Sequence, residues 1–304
     1  MAVDRLTLVG NPTSFANRNP KWRLTDVILL FTMMILCYPV YYQEPFQRQF
    51  YLNDLTISHP YADPQRVSDF MLFVYSLFLP LVAIIIFGLI LADPKHRGFL
   101  IYISVLGLFV SWFSTTLITN FIKNWIGRLR PDFLARCQPK PDLPTDVLFT
   151  ASEVCTTENR AILMDGFRTT PSGHSSQSFA GLGYLYLWLC GQLLTENILT
   201  GYWRKVFALM PLLGASLIAL SRTQDYRHHF VDVLIGSILG YVIAHFCYRR
   251  NFPAIDEEIP FKPLLDDSDV TLNIPPAPAP LPDEELHPLT EGATAVPDEI
   301  QANN

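Results

Sequence analysis

Residues 70–92 read FMLFVYSLFLPLVAIIIFGLILA, 23 residues from Phe70 to Ala92 without a charge. A helix of about 20 mostly apolar residues crosses about 30 Å of hydrocarbon, so this stretch alone is long enough to span a bilayer. Further uncharged runs lie at 27–43, 98–122, 175–195, 206–221 and 233–248. The last two hold 16 residues each and reach spanning length only if polar residues at their ends join the helix. A soluble core can bury short apolar helices, but four full-length runs beside them argue against that. The pattern predicts an all-α, polytopic membrane protein with six transmembrane helices.

Only 16% of the 304 residues are charged, against about a quarter in soluble domains. The net charge of −6 hides an asymmetry, because residues 251–304 hold 12 Asp/Glu and one Lys, leaving the first 250 residues at +5. A strongly apolar, mildly basic body does not fit a nucleic-acid binder, whose basic stripe sits on a soluble domain. Residues 1–23 are hydrophilic and form an N-terminal segment without the early apolar core of a cleavable signal. Residues 24–250 form the six-helix body. The segment 251–304 contains ten prolines and is predicted to be a disordered acidic tail.

Six spans put both termini on one side, together with the pairs Lys21/Arg23, Lys95/Arg97, Arg204/Lys205 and Arg249/Arg250. The positive-inside tendency makes that side cytosolic. Lys and Arg nevertheless divide 11 to 11 between the faces, so the choice rests on chemical work for the cations opposite.

That opposite, non-cytosolic face carries residues 43–69, the long connection 123–174 and the tight turn 222–229, and three motifs lie on or beside them. The first reads Lys123-Asn-Trp-Ile-Gly-Arg-Leu-Arg130-Pro131. If the helix continues, Lys123, Gly127 and Arg130 share one face with a gap between two cations, which suits an anion with several oxygens. Interfacial snorkelling would explain the same residues more plainly. The second is Thr170-Pro171-Ser172-Gly173-His174 at the start of an apolar run, where a Ser is an ordinary N-cap and exposed amides bind phosphate. The third contains Ser221-Arg222 and His228-His229-Phe230-Val231-Asp232. On a helix, Asp232 lies four residues beyond His228 and would orient its imidazole, with Gly236 and Gly240 continuing that stripe into the bundle. His229, three residues before Asp232, competes for the same carboxylate. An Asp inside a span is expensive unless paired and used.

Together, Lys123-x6-Arg130-Pro131, Pro171-Ser172-Gly173-His174 and Ser221-Arg222-x5-His228-x3-Asp232 resemble the three signatures of the type 2 phosphatidic acid phosphatase family, without gap or substitution. Likeness to a vacuolar member of that family extends over nearly the whole chain, including residues 38–42, 53–61 and 265–270. The resemblance implies an integral enzyme of the vacuolar membrane with a lumenal site. Its substrate is a phospholipid drawn from the bilayer. It would hydrolyse lipid phosphomonoesters and the β-phosphate of diacylglycerol pyrophosphate with no metal or other cofactor. It makes His228 the nucleophile, Asp232 its orienting carboxylate and His174 the acid for the leaving oxygen. Lys123, Arg130, Ser172, Gly173 and Arg222 would surround the transferring phosphoryl group. A vanadium-dependent haloperoxidase resembles this family at the phosphate pocket, and a non-catalytic lipid-binding or transport protein is a third class. Six spans argue against the former and a complete catalytic set against the latter.

Of five cysteines, Cys37, Cys190 and Cys247 fall within spans. Cys137 and Cys155 lie in the long connection on the face assigned as lumenal, where disulfides persist, and are expected to pair.

Overall fold

A computed structural model describes residues 22–266. The N-terminal residues 1–21 and the tail beyond Asp266 lie outside the described residues. Helix α1 is Leu24–Tyr42 and β1 is Phe50–Tyr51; α2 runs Asp69–Leu91, its turn Val74–Phe78 widened to a π-helix. Helix α3 is Arg97–Ile126, followed by short α4 (Phe133–Cys137), β2 (Leu148–Phe149), α5 (Ala151–Val154) and α6 (Arg160–Asp165). Three long helices follow: α7 (Gly173–Gln192), α8 (Trp203–Gln224) and α9 (Phe230–Asn251).

Among the described residues, α1, α2, α3, α8 and α9 are long and apolar enough to cross a membrane. Their outward faces carry Ile35, Ile90, Leu217 and Phe246, each 62–72% exposed, as lipid-facing positions require. The fourth apolar run of the sequence forms α7, which does not meet the same criterion. The reason is its place. Helix α7 packs against α9, α8, α3 and α2, and 15 of its 20 residues are buried. Its neighbours supply its apolar surroundings, so its first turns can be Gly, His and Ser. The two 16-residue runs become 22-residue helices because polar ends, with Arg222 in α8 and Asp232 in α9, join them.

Close packing around α7 depends on glycine. A Cβ at Gly240 would lie 2.1 Å from the Ser176 carbonyl oxygen, and one at Gly236 2.6 Å from that of Ser172. The small-residue stripe of α9 therefore faces the start of α7, close enough for backbones to touch.

At one end of the bundle, the connections around β1, β2 and the short helices form a cap. Strands β1 and β2 pair antiparallel, and Phe50, Ile57, Phe133, Val154 and Phe167 make its buried core. The Cys137 and Cys155 sulfurs are bonded within it, with Cα atoms 4.7 Å apart.

At the other end, the chain beyond α9 differs from the expected disorder. Residues 252–266 fold back on the bundle: Phe252 is fully buried, Leu264 N–H donates to Asn251 O at 2.9 Å, and Gln192 Nε2 donates to Phe261 O at 3.0 Å. Phe252, Ile255 and Pro260 bury enough surface to order this part, against which the proline and charge count of the whole tail argued.

Candidate active site

A cavity of about 910 Å³ opens where α3, α7 and α8 reach the cap. Lys123, Arg130, Gly173, His174, Arg222 and His228 line it. The structure thus gathers six of the eight catalytic and phosphate-binding candidates on one wall, from segments up to about a hundred residues apart. Ser172 and Asp232 stand behind that wall, both fully buried. The lining also includes the apolar and aromatic side chains of Tyr41, Tyr42, Leu72, Phe73 and Trp112.

Each element ends where the site needs it. Helix α3 stops at Ile126 because Gly127 adopts the left-handed conformation (φ 58°) and its N–H donates to Lys123 O at 3.1 Å. The helix therefore does not continue to Arg130, and Gly127 is a helix stop rather than a gap between two cations. A Cβ there would also lie 1.9 Å from Phe46 O. Lys123 remains on the last turn, its Nζ donating to Arg168 O at 2.6 Å. Arg130 enters from the following loop. Its Nε and Nη2 donate to the backbone oxygen and Oδ1 of Asp165, both at 2.8 Å.

Helix α7 begins at the cavity. Ser172 is its N-cap, its Oγ accepting from Ser175 N–H at 3.4 Å, which leaves Ser172 holding the helix start rather than lining the cavity. Gly173 faces Lys123: a Cβ there would lie 3.6 Å from Lys123 Cε. The start of α7 thus turns its unpaired amides toward a cation-lined space, the arrangement that binds phosphate at helix N-termini. His174 Nε2 lies 3.0 Å from Val67 O, and since a carbonyl only accepts, that nitrogen carries the proton. Arg222, on the last turn of α8, donates from Nη1 to Gln65 Oε1 at 2.9 Å and from Nη2 to Asp225 Oδ2 at 3.0 Å.

The third segment departs from helical stacking. Helix α9 begins only at Phe230, with His229 as N-cap and Asp232 closing a capping box: His229 N–H donates to Asp232 Oδ2 at 2.9 Å. His228 precedes the helix, so the four-residue spacing does not stack it on Asp232. It is His229 whose Nδ1 meets Asp232 Oδ2, at 3.1 Å, while its Nε2 turns to Thr56 O at 3.2 Å, away from the cavity. His228 instead points into the cavity, with Nε2 3.3 Å from Arg130 Nη1 and Nδ1 3.2 Å from Thr169 Oγ1. Asp232 Oδ1 accepts from Arg128 Nη1 at 3.0 Å and from Thr170 Oγ1, and Oδ2 also accepts from Thr169 Oγ1 at 2.8 Å.

Sequence reasoning missed Asp165, Thr169, Thr170, Arg128 and Arg227. Asp165 meets three guanidinium groups: Arg130 at 2.8 Å, Arg136 at 3.0 Å and Arg227 at 3.7 Å. Burial alone would raise its pKa, but Arg130, Arg136, Lys123 and Arg227 overcome that and hold it well below the usual carboxylate range. It stays charged and keeps Arg130 in place. Arg128, Thr170 and Arg227 stand inside the motif segments and Thr169 beside them, so position was their one signal; Asp165 had none. His228 is pushed well below the ordinary imidazole value by burial first, then by the nearby charges of Arg130 and Lys123. It is neutral at pH 7. Among the described residues no group of three or more His, Cys, Asp or Glu is placed to hold a metal ion.

Residues 104–256, which contain all eight candidate catalytic and phosphate-binding residues, match the PAP2 superfamily. The chain belongs to that superfamily. It is 65% identical over 289 residues to "Diacylglycerol pyrophosphate phosphatase 1" of Saccharomyces cerevisiae, covering 95% of this chain and 99% of that protein. It is 42% identical over 212 residues to "Probable diacylglycerol pyrophosphate phosphatase 1" of Schizosaccharomyces pombe, covering 70% and 75%. "Lipid phosphate phosphatase 2" of Arabidopsis thaliana is 32% identical over 234 residues, covering 77% and 78%. No solved structure matches the chain. The superfamily match spans all three motifs, and the likeness to the 65% relative extends beyond it to 95% of the chain.

Proposed function

We propose that this PAP2 protein is a metal-independent lipid phosphatase that removes the β-phosphate of diacylglycerol pyrophosphate and hydrolyses phosphatidate, lysophosphatidate and related lipid phosphates. The observation that carries the reading is His228 Nε2 facing a cavity whose wall holds Lys123, Arg130, Arg222 and His174. Phosphoryl transfer depends chiefly on positioning and on charge around the equatorial oxygens. Three fixed cations and the amides at the start of α7 supply that charge.

In this reading His228 Nε2 attacks phosphorus, and His174, entering the step as the imidazolium, gives its Nδ1 proton to the departing oxygen while Nε2 keeps its bond to Val67 O. Water then attacks the phosphohistidine, loses a proton to His174 and frees phosphate. Asp232 holds the geometry from behind the wall. The substrate enters sideways from the bilayer, its acyl chains against Tyr41, Tyr42, Leu72, Phe73 and Trp112.

Helix α7 is the sixth span, packed among α2, α3, α8 and α9, and the cavity opens on the non-cytosolic face with both termini in the cytosol. The membrane is that of the vacuole, so the site is lumenal. The decisive experiment is phosphate release by the purified protein from diacylglycerol pyrophosphate, phosphatidate and lysophosphatidate with EDTA present. Sustained turnover is expected. Loss of activity in EDTA that added magnesium restores would overturn the metal-independent mechanism, and equal efficiency on a water-soluble phosphomonoester would overturn entry from the bilayer.

A further inference from the structure

The link from Asp232 to His228 runs, among the described residues, through a third side chain. Thr169 lies between α6 and α7 and is fully buried. Its backbone N–H donates to Arg128 O at 3.2 Å, which ties it to the loop after α3. Its Oγ1 stands 2.8 Å from Asp232 Oδ2 and 3.2 Å from His228 Nδ1.

Donor and acceptor capacities leave one arrangement. A carboxylate only accepts, so the single hydroxyl proton of Thr169 goes to Asp232. The hydroxyl oxygen can then take a proton only from His228 Nδ1. On the far side of the ring, Arg130 Nη1 is 3.3 Å from Nε2, and a guanidinium only donates. Both neighbours of the imidazole therefore select the same tautomer: proton on Nδ1, lone pair on Nε2.

We propose that Thr169 is a positioning residue for phosphoryl transfer, a hydroxyl relay through which Asp232 fixes the tautomer of His228. This rests on the reading of His228 as the nucleophile. In the first step the Nε2 lone pair forms the N–P bond, the P–O bond to the leaving group breaks, and the leaving oxygen takes the His174 proton. The ring keeps its Nδ1 proton and becomes cationic, and that charge is met through Thr169 by the Asp232 carboxylate. In the second step the oxygen of water bonds to phosphorus, the N–P bond breaks, and the water proton returns to His174. Thr169 exchanges no proton with substrate at either step.

The test compares Thr169→Val, which keeps the shape and loses the hydroxyl, with Thr169→Ser, which keeps the hydroxyl and loses a methyl. Rapid-quench trapping of phosphoenzyme from labelled diacylglycerol pyrophosphate should show formation slowed about 10–100-fold in Thr169→Val, the usual cost of losing an orienting partner. Thr169→Ser should recover to within about three-fold of the unaltered protein, and KM should move less than about two-fold in either, as for a group acting on the chemical step. A residue that only fills space would give the reverse order, because valine is the better volume match. Nitrogen-15 spectra of histidine-labelled protein, with the His228 signal identified by its loss in His228→Asn, should show the proton on Nδ1. A proton on Nε2, or Thr169→Val outperforming Thr169→Ser, would overturn the relay. Full labelling of His228→Ala would instead overturn the nucleophile, and the nitrogen spectra separate the two failures because they need no turnover.

Discussion

At its N-terminal end α7 buries His174, Ser175, Ser176 and Ser178, and at its C-terminal end it buries Tyr184, Leu185, Trp188, Leu189 and Cys190. The first set adjoins a cavity and is held by polar contacts, among them Ser176 Oγ to Thr119 Oγ1 at 2.9 Å. The second belongs to the largest apolar cluster of the bundle, with Ile103, Leu108 and Phe252. One helix is thus wrapped by the same neighbours along its length, yet one end keeps room and charge while the other is filled. A central helix needs no lipid-facing surface, so its composition is free to follow the task at each end.

Four experiments press on that division. The largest effect is expected at the polar end, where His228→Ala should lower turnover on the order of 10⁴-fold and abolish phosphoenzyme, as loss of a nucleophile does. His229→Ala, measured in parallel, should retain turnover within about 100-fold, because its ring supports Asp232 from outside the cavity and acts as an orienting partner. If both variants lose labelling equally, the division between the two histidines fails.

At the filled end, Trp188→Ala should cost on the order of 3–5 kcal/mol, from the cavity left and the lost Nε1 bond to Ser104 Oγ at 2.8 Å. Thermal unfolding in detergent measures it. The fraction that remains folded should keep its turnover number; a matching fall in turnover would show that the two ends are coupled.

Replacing Cys137 and Cys155 by serine removes a closure spanning 18 residues, worth about 3 kcal/mol in the chain-entropy model. The loss should appear as earlier proteolysis of the cap that carries Arg130 and Asp165. An unreduced digest in which both thiols alkylate in native protein would contradict the bond itself.

The smallest effect concerns pH. His228 is held well below the ordinary imidazole range, so its lone pair remains available as pH falls from 7 to about 6, where a free imidazole is already half protonated or more. Phosphoenzyme formation should show no decline from this group over that range. Stability carries the opposite sign: the unfolded chain takes up a proton below about 6.5 that folded His228 does not, so acid favours unfolding. A decline in phosphoenzyme formation centred near 6.5 that tracks protonation of His228 would place that residue in water rather than in the buried wall.

Much of the architecture is legible because it is local. Uncharged length marks α1, α2 and α3 directly, and Lys123, Arg130, His174, Arg222 and His228 stand at motif spacings that lead to one cavity. Where local rules were carried past a boundary they misled. Gly127 read as a gap within a helix is the helix stop, and His228 read as stacked on Asp232 lies just outside the helix that His229 caps. Helix α7 has the apolar length but not the hydropathy, since its packing neighbours do what composition would otherwise have to do.

By itself, then, the sequence determined which segments avoid water and which residue types recur at fixed short distances, because both are properties of a few adjacent turns. Only the tertiary structure decided that Thr169 reaches across 59 positions to His228, that Asp165 gathers Arg130, Arg136 and Arg227, and that the chain after Asn251 returns to the bundle. Those contacts join side chains whose separation along the chain carries no periodic signal, and hydrogen-bonding capacity and burial become constraints only once the helices have brought them together.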